Sequence, residues 1–149
     1  MSNSMELKFK ASIGNELLAR QALIAFISPL NPTVEEIGEY KTIISEAVSN
    51  AIIHGYQFDA SKDVYIKATI FEDEVEIIVR DYGVGIKNLE EAKTPHFSTR
   101  PDLERAGMGL TIIETLSDSF SISSVEGLGV KLIIRKKYSL SKINDEQRV

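Results

Sequence analysis

Cysteine is absent from this 149-residue chain. No disulfide can staple the fold and no thiol can act as nucleophile, usage that fits a cytoplasmic protein. Without cysteine, and with only His54 and His96, the ligand set of a zinc site is missing. No apolar run reaches the ~18 residues that span a membrane. Residues Met1 to Met5 carry neither the basic segment nor the apolar stretch of a secretory leader. Internal repeats, low-complexity tracts and a second domain are also lacking, so residues 1–149 read as one domain whose tail frays from about residue 137. Positive charge is in short supply: the net charge is −5, which argues against nonspecific nucleic-acid binding. What remains is 43% apolar and 26% charged, the profile of an ordinary globular domain with one sizeable core.

The chain is organised around Ser45-Glu46-Ala47-Val48-Ser49-Asn50-Ala51-Ile52-Ile53-His54-Gly55. Glu46, Asn50 and His54 recur every fourth residue and line one side of a helix. Ile37, Ile44, Val48, Ala51 and Ile52 form an apolar stripe opposite. Ile43 and Ile53 share the Glu46 side, so its carboxylate and carboxamide need partners. A helix with these groups merely facing water is the competing reading of this stretch.

The rest follows in order. Leu7, Phe9 and Ala11 alternate with charged residues as a short strand. Asn15 precedes a helix with an acidic first turn, stopped by Pro29 and Pro32. On it Glu16 and Arg20 stand four apart, the spacing of an ordinary ion pair. Thr33 to Glu36 is a capping box that starts the central helix, and Gly55 stands where a C-cap glycine belongs. Val64–Phe71 and Val75–Arg80 read as a hairpin through Glu72-Asp73-Glu74. Regular periodicity disappears from Asp81 to Gly109, a length of loop that usually carries function. A helix resumes at Leu110, and strands over Phe120–Val125 and Val130–Ile134 close the domain.

Two further stretches carry chemistry. Asp81-Tyr82-Gly83-Val84-Gly85 follows a strand. Its glycines let backbone approach a ligand, and the Asp81 carboxylate could accept the exocyclic amine of adenine while rejecting guanine. A bare turn explains the motif about as well. Gly107-Met108-Gly109-Leu110 opens the helix after the long loop, where backbone N–H groups and the helix dipole favour phosphate. Arg105 could reach a terminal phosphate as a donor fork. A glycine-rich helix start with a surface arginine is the simpler alternative.

Taken together, Glu-x-x-x-Asn on a helix, Asp-x-Gly-x-Gly after a strand, a loop, and Gly-x-Gly at a helix start resemble the GHKL ATPase/kinase superfamily. Ser45 to Tyr56, with Glu104-Arg105-Ala106-Gly107-Met108-Gly109, resembles its serine kinase and anti-sigma branch, the anti-sigma F factor family of spore-forming bacteria. The resemblance runs from the first strand to about Lys137. It implies the α/β two-layer sandwich of the GHKL (Bergerat-type) ATP-binding fold, a mixed, mainly antiparallel sheet covered by helices on one face. It implies that Glu46 is the general base, that Asn50 ligates Mg²⁺, and that Asp81 binds adenine beside Gly83 and Gly85. Arg105, Gly107, Met108 and Gly109 would hold phosphates. Ser98 and Thr99 would be phosphate contacts or plain loop residues. Glu16 and Arg20 would lie on the surface used for protein partners. One departure stands out: a threonine usual in the last strand pair is replaced in Leu128-Gly129-Val130, which should alter nucleotide affinity without abolishing binding.

The function so implied is an ATP-dependent protein serine kinase that is also an anti-sigma factor. It would act as a homodimer, hold a sporulation sigma factor of the sigma F type, and phosphorylate a serine of the anti-anti-sigma antagonist. The alternatives are a nucleotide-gated sequestering module without useful catalysis, the general-stress anti-sigma branch, and a relative of histidine kinases.

Overall fold

The computed structural model describes residues 2–86 and 105–139, with side chains of the second span from Gly109 onward. The elements are β1 (Asn3–Lys10), α1 (Asn15–Ile27), α2 (Val34–Asn50), β2 (Asp63–Ile70), β3 (Glu74–Asp81), α3 (Arg105–Leu116), β4 (Ser119–Val125) and β5 (Gly129–Lys137). A 3₁₀ turn, Ser28–Leu30, follows α1, and a π turn, Ala51–Gly55, prolongs α2.

The strands form one sheet in the order β1-β2-β3-β5-β4. Every described pairing is antiparallel, where the resemblance implied a mixed sheet. The reason is the place of β5. The crossover through α3 joins β3 to β4, which run the same way, but β5 hairpins back between them and separates them. Alternation then sorts the side chains. Phe9, Val64, Ile66, Ala68, Val75, Ile77, Val79, Leu132 and Ile134 point inward and are buried. Lys8, Tyr65, Lys67, Arg80 and Lys131 line an open concavity on the other face. The sheet is thus covered on one face, as expected.

α2 packs against both α1 and α3 and fills the centre of the helical layer. Its buried residues include Tyr40, Ile43, Ile44, Ala47 and Val48. Leu23 and Ile27 of α1 and Ile113 of α3 are fully buried around it. Truncating any of these to alanine costs about 2–5 kcal/mol. The capping box is present: Glu36 N–H donates to Thr33 Oγ1 at 3.1 Å, and Thr33 N–H donates to Glu36 Oε1 at 3.0 Å.

Three sequence expectations need correction. Asn15 does not precede α1 but is its first residue, and its side-chain amide donates to the Lys10 carbonyl at 2.9 Å. That bond closes the turn from β1. Gly55 is not a left-handed cap; the positive φ values fall on Gln57 and Phe58 instead. Residues 136–139 are held against the fold, where a tail fraying from about residue 137 was expected. Lys136 is buried; its Nζ donates to the Leu116 carbonyl at 2.8 Å and lies 3.4 Å from Glu39 Oε2. Tyr138 is buried beside it and donates to the Phe71 carbonyl at 2.9 Å, while Ser139 N–H donates to Glu36 Oε2 at 2.9 Å. Charge alone hides that β5 continues with Lys136 on its inward face.

Candidate functional site

The site has two ends, joined by α2 and its π turn. At one end Asp81, the last residue of β3, turns inward and is only 3% exposed. Gly83 N–H donates to its Oδ1 at 2.9 Å. Burial pushes the carboxyl up to about 6, and backbone hydrogen bonds from Gly83 and Val130 offset part of that rise. Glycine is required on both sides of it. A Cβ on Gly55 would sit 2.7 Å from the Asp81 carboxylate, and one on Gly83 would sit 1.9 Å from the Gly55 carbonyl oxygen. Val84 N–H donates to that same carbonyl at 2.9 Å. The π turn therefore lays the end of the helix directly on the Asp81 loop, and such turns often mark functional places.

Tyr56, the last residue of the Ser45 to Tyr56 motif, anchors this arrangement. It is buried, its hydroxyl donates to the Asp63 carbonyl, and it accepts from Tyr82 N–H at 2.8 Å. Burial pushes its hydroxyl up from the ordinary tyrosine range. In sequence its mark is its place directly after His54-Gly55. Gly85 adopts φ +76°, where a side chain is strained, and a Cβ there would meet the Val125 carbonyl oxygen at 2.4 Å. The loop is stitched to the β4–β5 hairpin: Gly127 N–H donates to Val84 O at 2.6 Å, and Ile86 N–H donates to Ser124 Oγ at 2.7 Å. Val130, opposite Asp81 in the register, is buried; its backbone serves the carboxylate and its side chain offers no hydroxyl.

At the other end Glu46 and Asn50 stand one helical turn apart on α2. Asn50 is buried and Glu46 half-buried. A Cβ on Gly109 would lie 2.7 Å from Glu46 Oε2, so the carboxylate rests against α3 where that residue lacks a side chain. α3 begins at Arg105, which puts Gly107, Met108 and Gly109 within its first two turns, not ahead of it. Glycine inside a helix costs roughly 0.5–1 kcal/mol relative to alanine. The close approach of Glu46 is a physical reason for keeping one at 109. Side chains of residues 105–108 lie outside the described residues, as do Ser98 and Thr99 entirely.

The structure thus brings Gly109 against Glu46, one turn before Asn50 on α2, at one end, and Asp81, Gly83 and Gly85 together at the other. From Glu46 to Gly55 the helix climbs about 13 Å. The donor set suits a hard cation: an amide oxygen beside a carboxylate, with little protein ligation, is what Mg²⁺ accepts when phosphates and waters complete its shell. Among the described residues no group of three or more His, Asp or Glu side chains gathers to hold a metal by itself. Glu16 and Arg20 stand on the neighbouring helix α1 as an i,i+4 ion pair at 3.6 Å, with Glu16 also accepting from Ser49, next to Asn50.

Comparison with known proteins agrees with this geometry. The model of the histidine kinase-like ATPase domain matches residues 9–136. An anti-sigma F factor of Clostridium perfringens is 52% identical over 137 residues, 92% of this chain and 98% of that protein. One from Oceanobacillus iheyensis is 46% identical over 142 residues, covering 95% and 97%. Among solved structures, the RsbU and RsbW domains of a Mycobacterium tuberculosis protein superpose with a TM-score of 0.66 at 20% identity. That match covers 91% of this chain and 32% of the longer one, and it bears on the fold. With its sheet, its glycine-lined aspartate and its Glu-x-x-x-Asn helix in this arrangement, the chain belongs to the histidine kinase-like ATPase family, in the branch of the anti-sigma F factors.

Proposed function

We propose that this chain is an ATP-dependent protein serine kinase and anti-sigma factor. It binds a sigma factor of the sigma F type and phosphorylates a serine of that factor's anti-anti-sigma antagonist, in the cytoplasm and as a homodimer. The observation that carries the reading is the two-ended site. A buried acceptor carboxylate, Asp81, stands at one end, and Glu46 meets the glycine-bearing turn of α3 at the other.

The roles follow from the chemistry of each group. Asp81 accepts the exocyclic amine of adenine, and Gly83 and Gly85 admit the ring close to backbone. Asn50 would hold Mg²⁺, which when bound neutralises phosphate charge. Glu46 takes the hydroxyl proton as the serine Oγ bonds to the γ-phosphorus, the β–γ bridging bond breaks and ADP leaves. The first turns of α3, with Arg105, Gly107, Met108 and Gly109, supply N–H donors and positive charge to the phosphates. Glu16 and Arg20 meet the protein partners on α1.

The test is incubation with γ-labelled ATP, Mg²⁺ and candidate anti-anti-sigma proteins, comparing native chain with Glu46→Gln and Asn50→Ala. Label on a partner serine, lost in both variants, supports the kinase. No label, with ATP still gating a sigma-factor complex, makes the chain a nucleotide-switched sequestering module. Failure to bind ATP sinks both.

A further inference from the structure

The Glu16 carboxylate has two partners, one per oxygen. Oε1 lies 3.6 Å from Arg20 Nε, and Oε2 accepts from Ser49 Oγ at 3.3 Å. Ser49 is 33 positions away on α2, directly before Asn50 and about 60° around the helix from Glu46. Its half-buried hydroxyl therefore ties α1 to the part of α2 that carries both Glu46 and Asn50. Arg20 Nε is buried without a hydrogen bond among the described residues, so its hold on Glu16 is an ion pair longer than a hydrogen bond. Ile13 in the turn before α1, and Leu17 and Leu18 on it, leave about half their surface in water, at 52%, 52% and 46%. Glu16 stands where a polar contact with α2 meets an exposed apolar flank.

We propose that Ser49 couples the α1 partner surface to the nucleotide-holding end of α2, releasing Glu16 when a protein partner engages Glu16 and Arg20. The inference rests on the reading above, in which Glu16 and Arg20 meet protein and Asn50 meets nucleotide. A partner that draws the Glu16 carboxylate outward removes the acceptor of the Ser49 hydroxyl. The hydroxyl then has the Ser45 carbonyl, one turn back, as its local acceptor. Such back-bonding bends a helix slightly. The bend falls between Glu46 and Asn50, where the phosphates and the base must be held to within fractions of an ångström. Linkage makes the effect reciprocal: nucleotide must change partner affinity by the factor by which partner changes nucleotide affinity.

The experiment measures the affinity of a purified sigma F factor for the native chain, Ser49→Ala and Ser49→Thr, each with and without Mg·ATP, after thermal melts confirm folding. The ratio of the two affinities is the coupling. Ser49→Ala should lower that ratio by about fivefold or more, while Ser49→Thr, which keeps the hydroxyl, should retain it. A native-sized ratio in Ser49→Ala overturns the role of Ser49 and leaves the partner reading standing. Equal loss in Ser49→Thr signals packing and also overturns it. A native chain whose sigma affinity ignores Mg·ATP overturns both.

Discussion

Replacing Asp81 by asparagine should stabilise the free protein at neutral pH. Burial raises the carboxyl from the usual 3.8 to about 6, despite hydrogen bonds from Gly83 and Val130. Keeping it ionised in the fold therefore costs about 3 kcal/mol at pH 7.5. Asparagine has no charge to bury but offers one acceptor oxygen where the carboxylate has two, a loss of about 1 kcal/mol. The net expectation is a gain of about 2 kcal/mol. The pH dependence is the sharper mark. Between about 4 and 6 the folded chain holds a proton on Asp81 that the unfolded chain has lost, so native stability from this group falls as pH rises through that window. The advantage of Asp81→Asn should consequently vanish near pH ~4.5 and be complete above pH ~7. Urea unfolding of both proteins at pH 4.5, 6 and 7.5 reads this directly. An asparagine variant less stable at pH 7.5, or a difference constant with pH, would refute the account of a carboxylate held at an energetic cost for its ligand. Nucleotide affinity should run the other way. The ionised carboxylate is the better acceptor, so ATP binding to the native chain should weaken below pH ~6.

Gly109→Ala should separate stability from activity. The new methyl meets the far end of the long Glu46 side chain rather than backbone, so helix stability should be unchanged or higher by up to about 1 kcal/mol. Phosphate transfer should fall, because the displaced carboxylate is the proposed base; full transfer in a stably folded variant would count against that role. Glu36 gives a second pH test. Burial resists its ionisation, but hydrogen bonds from Thr33 and Ser139 outweigh that and hold the carboxyl below its ordinary range. Its stabilising contribution is therefore present at neutral pH and lost as pH falls through the acid range. The stability gap between native and Glu36→Gln chains should close on acidification, and a widening gap in urea melts would overturn the assignment.

Much of the site was legible because its signals are local. Glu46 and Asn50 share a helical face through the 3.6-residue period, and the Thr33–Glu36 capping box marks where that helix starts. Asp81 was marked by its glycines and its place at a strand end. The burial of Lys136 is not legible in sequence: its charge suggests solvent, and only the partners gathered by Glu39 and the end of α3 make its burial tolerable. The anchoring role of Tyr56 was missed because nothing nearby in sequence predicts a hydroxyl shared by Asp63 and Tyr82.

Periodicity, capping and glycine placement determined from sequence alone which helix carries the polar line, which strand ends in the aspartate and in what order the described elements follow. These depend on each residue's own conformational preferences and those of its near neighbours. The tertiary structure decided what meets what. β5 comes between β3 and β4, Gly55 lies on Asp81, Gly109 on Glu46, and Glu16 on Ser49. Those contacts join residues tens of positions apart, and they arise only when the sheet's one apolar face is buried under the helices.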